Sequence, residues 1–475
     1  MLSSNLINTL YRRLLFIICI SFVISCNNKD SESSETVWIG GEVINPKTDY
    51  IVLYKDNCIL DTVKLNSRNF FLYENHELQE GLYSFQHNEF QIFYVEPGDS
   101  LMLRVNTVDF DESLTYTGKG AEKNNFLMEL FLINEEENKL VPKWYSLPPA
   151  TYEQKLDSLK QIREQLYSEF VSKYDPSKGL KQIAKANIEY DYYSKKEMYT
   201  SVNASNPENS NPQNFPKDFY AYRDKIDFGN DNLRSYYPYY RFLNRYFDNI
   251  AATKYSDQNA TNKYSYIHCE RKFKIIDSLV TSDSLKNNLL RSCIKNYLIN
   301  GKDAQNEQLM VALFLKMNNN KMHHTEIQKL AEATINLTPG NKIPNVLIVS
   351  TDNTAKDLRS TISKPTVLYF WSGQSVKHYR DIHSKAAELK AKYPEYDFIG
   401  INTDTHFKKW RDIVKKSGYN ADMEYQLENI EEAEAKLVIN SINKAMILTK
   451  NAVILESNAN LFSTSIEGLL LGYLN

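Results

Sequence analysis

Cysteine is scarce in this chain: five occur in 475 residues, and none lies beyond Cys293. The C-terminal part therefore holds no sulfur nucleophile, and an oxygen cannot replace one in thiol and disulfide exchange. Proline is just as uneven, with none after Pro394. A cis bond at any other residue costs roughly 3 kcal/mol, so no cis turn is expected there. Positive charge is not in excess either. Lys and Arg number 56 against 59 Asp and Glu; without residues 1–25, which carry two arginines and no acid, the balance is 54 − 59 = −5. That does not favour nucleic acid or an anionic membrane face. There is no P-loop, GxGxxG, GxSxG or spaced zinc-ligand set, so no cofactor, metal or catalytic residue is expected. Beyond the N-terminal segment, no window is apolar for long enough to span a bilayer.

What is present begins with a targeting segment. Arg12 and Arg13 form a basic region, and Leu14 to Ile24 is an apolar run too short to span a membrane comfortably. Val23, Ile24, Ser25 and Cys26 then match the lipobox of bacterial lipoproteins. That resemblance implies that residues 1–25 are a signal peptide and that Cys26 becomes the lipidated N-terminus, with palmitate-type chains. Each buried methylene contributes roughly 0.8 kcal/mol, so several chains anchor the protein to the membrane without a spanning helix. Asn27 resembles outer-membrane sorting. Residues 26–36, including NNKDSESSE, read as a polar, disordered tether, and acids this close to the lipid resemble the surface-export tethers of some lipoproteins. The expected location is the cell envelope, on an outer-membrane lipoprotein facing the periplasm or the surface.

The chain is organised around Lys364 to Asp404. Val367 to Trp371 is a short apolar run of the kind that makes a strand buried on both faces. After Ser372 and Gly373, apolar residues recur from Val376 to Tyr393 at steps of three or four, which is one face of a helix. Pro394 ends it, and Phe398 to Ile401 gives a second buried strand. The unit is strand, helix, parallel strand. It resembles the start of a thioredoxin fold, in which the first strand ends in Trp followed by CxxC at the helix N-terminus. Here Trp371 is followed by Ser372, Gly373, Gln374 and Ser375, with serine at both cysteine positions. The family's cis-proline is replaced by Asn443, ahead of a strand at Lys444 to Thr449. The resemblance therefore implies a thioredoxin-like domain over 339–475 that has lost its dithiol chemistry.

Residues 37–118 read as a β-sandwich of seven short strands, from Ile39–Val43 to Ser100–Val105, separated by turns such as Asn45-Pro46 and Pro97-Gly98-Asp99. The order of Leu60-Asp61-Thr62, Tyr94 to Ser100, Tyr116 to Gly120 and Asn124-Asn125 resembles the N-terminal β domain of envelope lipoproteins of the TlpA/thioredoxin-like group. Residues 119–338 carry helical apolar spacing over segments such as 151–173, 179–200, 263–280 and 283–300. Ser201 to Pro216 reads as a mobile polar loop, and Thr338 to Asn341 marks the next boundary. The whole is a multidomain α+β chain: β-sandwich, helical middle domain, and C-terminal α/β thioredoxin-like fold.

Cys269 and Cys293 are equidistant from Thr281, the bend between two helices, with Thr281 or Ser282 as N-cap. Equal distances from a bend set two residues at similar heights, which suits either a disulfide or two unpaired core thiols. His378 and His383, five apart, do not converge on one ion, nor do His323 and His324. Glu428, Glu431, Glu432 and Glu434 read as a solvated helix face. The turn after Trp371 has two readings. Ser372 or Ser375 caps the helix, or free amides form a binding surface with Gln374, with Trp371 as a wall and Asn443 opposite. The function expected is a lipid-anchored module that binds an envelope protein partner or serves structurally. The alternatives are a thiol-disulfide oxidoreductase or partner in an envelope redox system, and an accessory lipoprotein in nutrient acquisition.

Overall fold

The computed structural model describes residues 36–474 except 57, 88, 205, 207–213, 254–261 and 302–305. Residues 1–25, Cys26, nearly all of the tether and much of the polar stretch 201–216 lie outside the described residues. Two compact units are present, one formed by residues up to Tyr145 with Gln154–Tyr192, the other by Ser146–Glu153 with Tyr193 onward.

In the first unit eight strands follow one another: β1 (Val37–Ile44), β2 (Tyr50–Lys55), β3 (Cys58–Lys64), β4 (Phe70–Asn75), β5 (Gly81–His87), β6 (Glu89–Val95), β7 (Ser100–Asn106) and, after the short helix α1 (Phe110–Ser113), β8 (Thr115–Lys119). They form two sheets, ordered β4-β1-β7-β8 and β3-β2-β5-β6. Alternate residues of both, Ile39, Leu53, Phe85, Phe93, Leu101 and Val105 among them, share one core, as period-two burial requires of a sandwich. All seven expected strands are present, and β8 joins them. Helix α2 (Ala121–Leu140) is tied to the sheets by polar groups. Asn124 spans the backbone of Tyr94, accepting from its N–H at 2.6 Å and donating to its carbonyl at 2.8 Å. Asn125 does the same at Tyr116, at 2.9 and 2.8 Å. Lys123 reaches Glu96 at 2.6 Å and Asp99 at 2.7 Å. Gly120 starts the helix at φ +90°, where a Cβ would meet the Asp99 carboxylate at 2.4 Å, so only glycine fits. Of the sequence landmarks, Tyr94 to Ser100, Tyr116 to Gly120 and Asn124-Asn125 hold the ends of these bonds, while Leu60-Asp61-Thr62 lies on β3.

Two long helices, α3 (Pro149–Tyr174) and α4 (Lys178–Asn203), contribute residues to both units. In the second unit come α5 (Tyr237–Thr253), α6 (Tyr266–Leu279), α7 (Asp283–Asn300), α8 (Glu307–Met317) and α9 (Lys321–Asn336). Ser265, Ser282 and Asn320 cap α6, α7 and α9 through their side chains. None of the described helices is long and apolar enough to cross a membrane.

The same unit continues into a mixed sheet built from β9 (Leu347–Ser350), β10 (Ala355–Asp357), β11 (Thr366–Trp371), β12 (Asp397–Asn402), β13 (Glu424–Leu427), β14 (Lys444–Leu448) and β15 (Ile454–Asn460), in the order β10-β9-β13-β12-β11-β14-β15. Between its strands run α10 (Val376–Lys392), α11 (Phe407–Ser417) and α12 (Ile430–Leu437), and α13 (Ile466–Gly472) closes the chain. β11 pairs parallel with β12 and antiparallel with β14, and every residue of β11 is buried. Leu368 and Phe370 enter one core, while Val367, Tyr369 and Trp371 enter the other with Tyr379, Ile382 and Leu389 of α10. A central strand covered on both faces explains the uninterrupted apolar run.

Candidate functional site

Strand β11 ends at Trp371 and the chain turns through Ser372–Ser375 into α10, which puts the motif at the N-terminus of a 17-residue helix. Such a turn exposes backbone donors. Three of them are met from within. Asp404, two residues past β12, accepts from the Ser372 hydroxyl at 2.5 Å and from the Gly373 N–H at 2.6 Å. Ser372 Oγ in turn accepts from the Gln374 N–H at 3.2 Å, and Ser375 Oγ accepts from the His378 N–H at 3.3 Å as the N-cap. Gly373 is packed so closely that a Cβ would meet Ile413 Cδ1 at 2.7 Å. Asn402 donates to Asp404 Oδ2 at 3.1 Å, and Gln426 donates to Asn402 Oδ1 at 3.1 Å and to the Asp404 carbonyl at 2.6 Å. The carboxylate is thus fixed by the ends of β12 and β13.

This arrangement corrects two expectations. The amides of Gly373, Gln374 and His378 are not open to an incoming anion, because Asp404 and the two serine hydroxyls already occupy them. Trp371 cannot serve as an aromatic wall, since it is fully buried and its indole N–H donates to Glu424 at 3.0 Å. Asn443 does stand beside the motif: its side-chain oxygen lies 2.9 Å from His378 Nε2, one turn into α10. Gln374 and Ser375 are exposed, Ser372 and Asn443 half-buried.

Beneath the motif lies a polar cluster that sequence reasoning missed. Glu424, buried on β13, accepts from Tyr369 Oη at 3.0 Å and Trp371 Nε1 at 3.0 Å, with His383 Nε2 at 3.1 Å. The other nitrogen of His383 is 2.6 Å from the Tyr379 carbonyl, and its ring stacks on Tyr419 at 3.7 Å. Burial, reinforced by the Glu424 charge, pushes the Tyr369 hydroxyl well above its ordinary range. The signal available in sequence was Gly400, a glycine within a buried strand; a Cβ there would strike Glu424 Oε1 at 2.4 Å. A cavity of about 590 Å³ adjoins the cluster, lined by Tyr369, Arg380, His383, Phe398, Tyr419 and Glu424 among others. Among the described residues no three His, Cys, Asp or Glu side chains are placed to hold a metal ion.

Cys269 and Cys293 are brought together: on α6 and α7, buried, their Sγ atoms stand 2.9 Å apart as free thiols. Ser282, rather than Thr281, caps α7. The acids around α12 are exposed, Glu432 pairing with Lys436 at 2.6 Å.

Comparison with known proteins bears on this domain. A family model described as thioredoxin-like matches residues 363–454. The chain is similar to a candidate thiol-disulfide oxidoreductase from Bacteroides vulgatus, at 19% identity over 29% of this chain and 97% of the other, with a TM-score of 0.26. It is similar to the thioredoxin domain of a thiol-disulfide oxidoreductase from the same organism, at 11% identity over 29% and 99%, TM-score 0.26. A domain of a candidate thiol-disulfide isomerase from Cytophaga hutchinsonii matches at 18% identity over 29% and 92%, TM-score 0.25. Comparison with curated proteins finds no match. The C-terminal domain is thioredoxin-like.

Proposed function

We propose that this chain is a lipid-anchored protein of the cell envelope, held at the outer membrane through Cys26, whose thioredoxin-like domain has lost redox activity and binds an envelope protein or serves structurally. The observation that carries the proposal is the internal closure of the motif turn. Ser372 is hydrogen-bonded to Asp404, Ser375 caps α10, and no cysteine follows Cys293. A serine hydroxyl at a helix N-terminus stays protonated where a cysteine would ionise, and a hydroxyl cannot attack a disulfide to form a mixed disulfide. What remains is a rigid surface of Gln374, Ser375, His378 and Asn443. In this reading nucleic acid is not a partner, in keeping with the net negative charge.

The full chain is expected to leave insulin disulfides intact in the presence of a thioredoxin-type electron donor, at the rate of buffer alone. Turnover above that rate would overturn the reading of the chain as redox-inactive, and its loss in Cys269→Ser/Cys293→Ser would assign the activity to the helical hairpin rather than to the thioredoxin-like domain.

A further inference from the structure

The thioredoxin-like domain accounts for none of the chemistry of Cys269 and Cys293. They sit on the arms of a helical hairpin, each twelve residues from Thr281, and their sulfurs touch at 2.9 Å. Both are sealed from solvent, with exposures of 0% and 6%. Beside them Lys272, itself 4% exposed, donates to Asp248 at 2.7 Å, while His268 Nε2 faces the same carboxylate at 3.2 Å. Burial and the neighbouring Cys293 hold the Cys269 thiol well above its ordinary value, against the weaker pull of Lys272. A thiol kept protonated and enclosed is a poor nucleophile and meets no partner's disulfide, so the folded pair is not an exchange catalyst.

We propose that Cys269 and Cys293 are a structural disulfide site, closed during folding to bolt α6 to α7. The oxidant is a disulfide of a dithiol-oxidase protein or a small disulfide. While the hairpin is still open, one cysteine thiolate attacks a sulfur of the oxidant, forming a mixed disulfide and expelling the oxidant's other thiolate. The second cysteine then attacks the first, forming the internal bond and breaking the mixed one. Two electrons pass to the oxidant, which leaves as a dithiol, or as two thiols where it is a small disulfide, carrying the two protons. Only the supply of oxidant in the cell rests on the proposed envelope location; the site itself rests on the hairpin.

The test is a peptide map of the full chain, unfolded, reduced, and refolded in mixed oxidised and reduced glutathione, then alkylated under denaturing conditions. The expected result is one cross-linked peptide pair containing Cys269 and Cys293, two hydrogens lighter than the free pair, with the exposed Cys58 fully alkylated. Dithiothreitol should open the bond in denaturant and spare it in the native protein. Alkylation of both Cys269 and Cys293, or a bond from either to Cys58, overturns the proposal. The double variant Cys269→Ser/Cys293→Ser should melt about 5 °C lower than the oxidised protein, since a bond closing a loop of this size removes about 3 kcal/mol of chain entropy from the unfolded state. An unchanged melting temperature would contradict a structural bond, and if the variant does not fold, the map of the unaltered chain decides. The same map on protein taken from the cell separates the two readings: a bond formed on refolding but missing there removes the envelope location and leaves the site standing.

Discussion

Ser372 donates a hydroxyl hydrogen bond to a carboxylate 2.5 Å away, and the adjacent Gly373 N–H donates to the same group at 2.6 Å. Asp404 thereby closes from inside the turn that leads into the helix N-terminus. Its removal leaves the Ser372 hydroxyl, the Gly373 N–H and the Asn402 amide short of an acceptor in a half-buried place. Asp404→Ala should therefore destabilise the chain by about 1–3 kcal/mol. The emptied turn should also gain what the unaltered protein lacks, a weak anion site, so sulfate should raise the melting temperature of the variant more than that of the parent. Equal sulfate responses in the two proteins would show that the turn stays closed without Asp404. His383 and Glu424 make the complementary point at this scale. Neither residue type is rare, and the buried bond between them depends on Gly400 leaving room on the strand between.

Among the elements, α12 ends under strain. Val438 has φ +49°, a left-handed conformation that a β-branched side chain resists. Lys444, the first residue of β14, holds that end by donating to the carbonyls of Leu437 and Val438, both at 2.8 Å. Burial pulls its ammonium from an ordinary 10.5 down to about 7, partly opposed by Glu456. Between those values the unfolded chain binds a proton that the folded chain does not, so stability rises with pH through that window, and below it the full cost of the buried charge is present. Lys444→Met removes this dependence. The unfolding free energy of the parent relative to the variant should thus increase from pH 7 to pH 9.5 in denaturant titrations. A difference independent of pH would mean that the carbonyls, not burial, set the state of Lys444.

The elements also divide into those that could be read in sequence and those that could not. β11, α10 and β12 could, because a buried parallel strand and a one-faced helix each impose a period on apolar residues. α7, at Asp283–Asn300, matches the expected 283–300 because Ser282 caps it and Gly301 follows. β8 and β13 escaped, the first for its glycine and threonines, the second because Glu424 and Gln426 break the apolar pattern to serve buried hydrogen bonds. The same holds at the site. The serines were visible as a departure from CxxC, whereas Asp404 lies 32 residues from Ser372, and Glu424 41 from His383, distances over which no local period speaks.

For the whole molecule the decisive residue is one whose surroundings lie outside the described structure. The described residues begin where the polar segment NNKDSESSE ends, and none of the described helices can cross a membrane. If the chain is held at a membrane, the lipobox at Val23–Cys26 is the feature that supplies the hold. A polar, acidic tether offers an anionic surface no attraction of its own, whereas each acyl chain contributes roughly 0.8 kcal/mol per buried methylene. Cys26→Ala should then abolish incorporation of a palmitate label, leave the leader uncleaved by the lipoprotein route, and move the processed protein from the membrane pellet to the soluble envelope fraction. Its melting temperature should not change, because the described cores are built from residues Val37 onward. Label retained by the variant would place the acyl group elsewhere, and membrane retention of unlabelled protein that has lost its leader would assign the hold to a protein partner rather than to lipid.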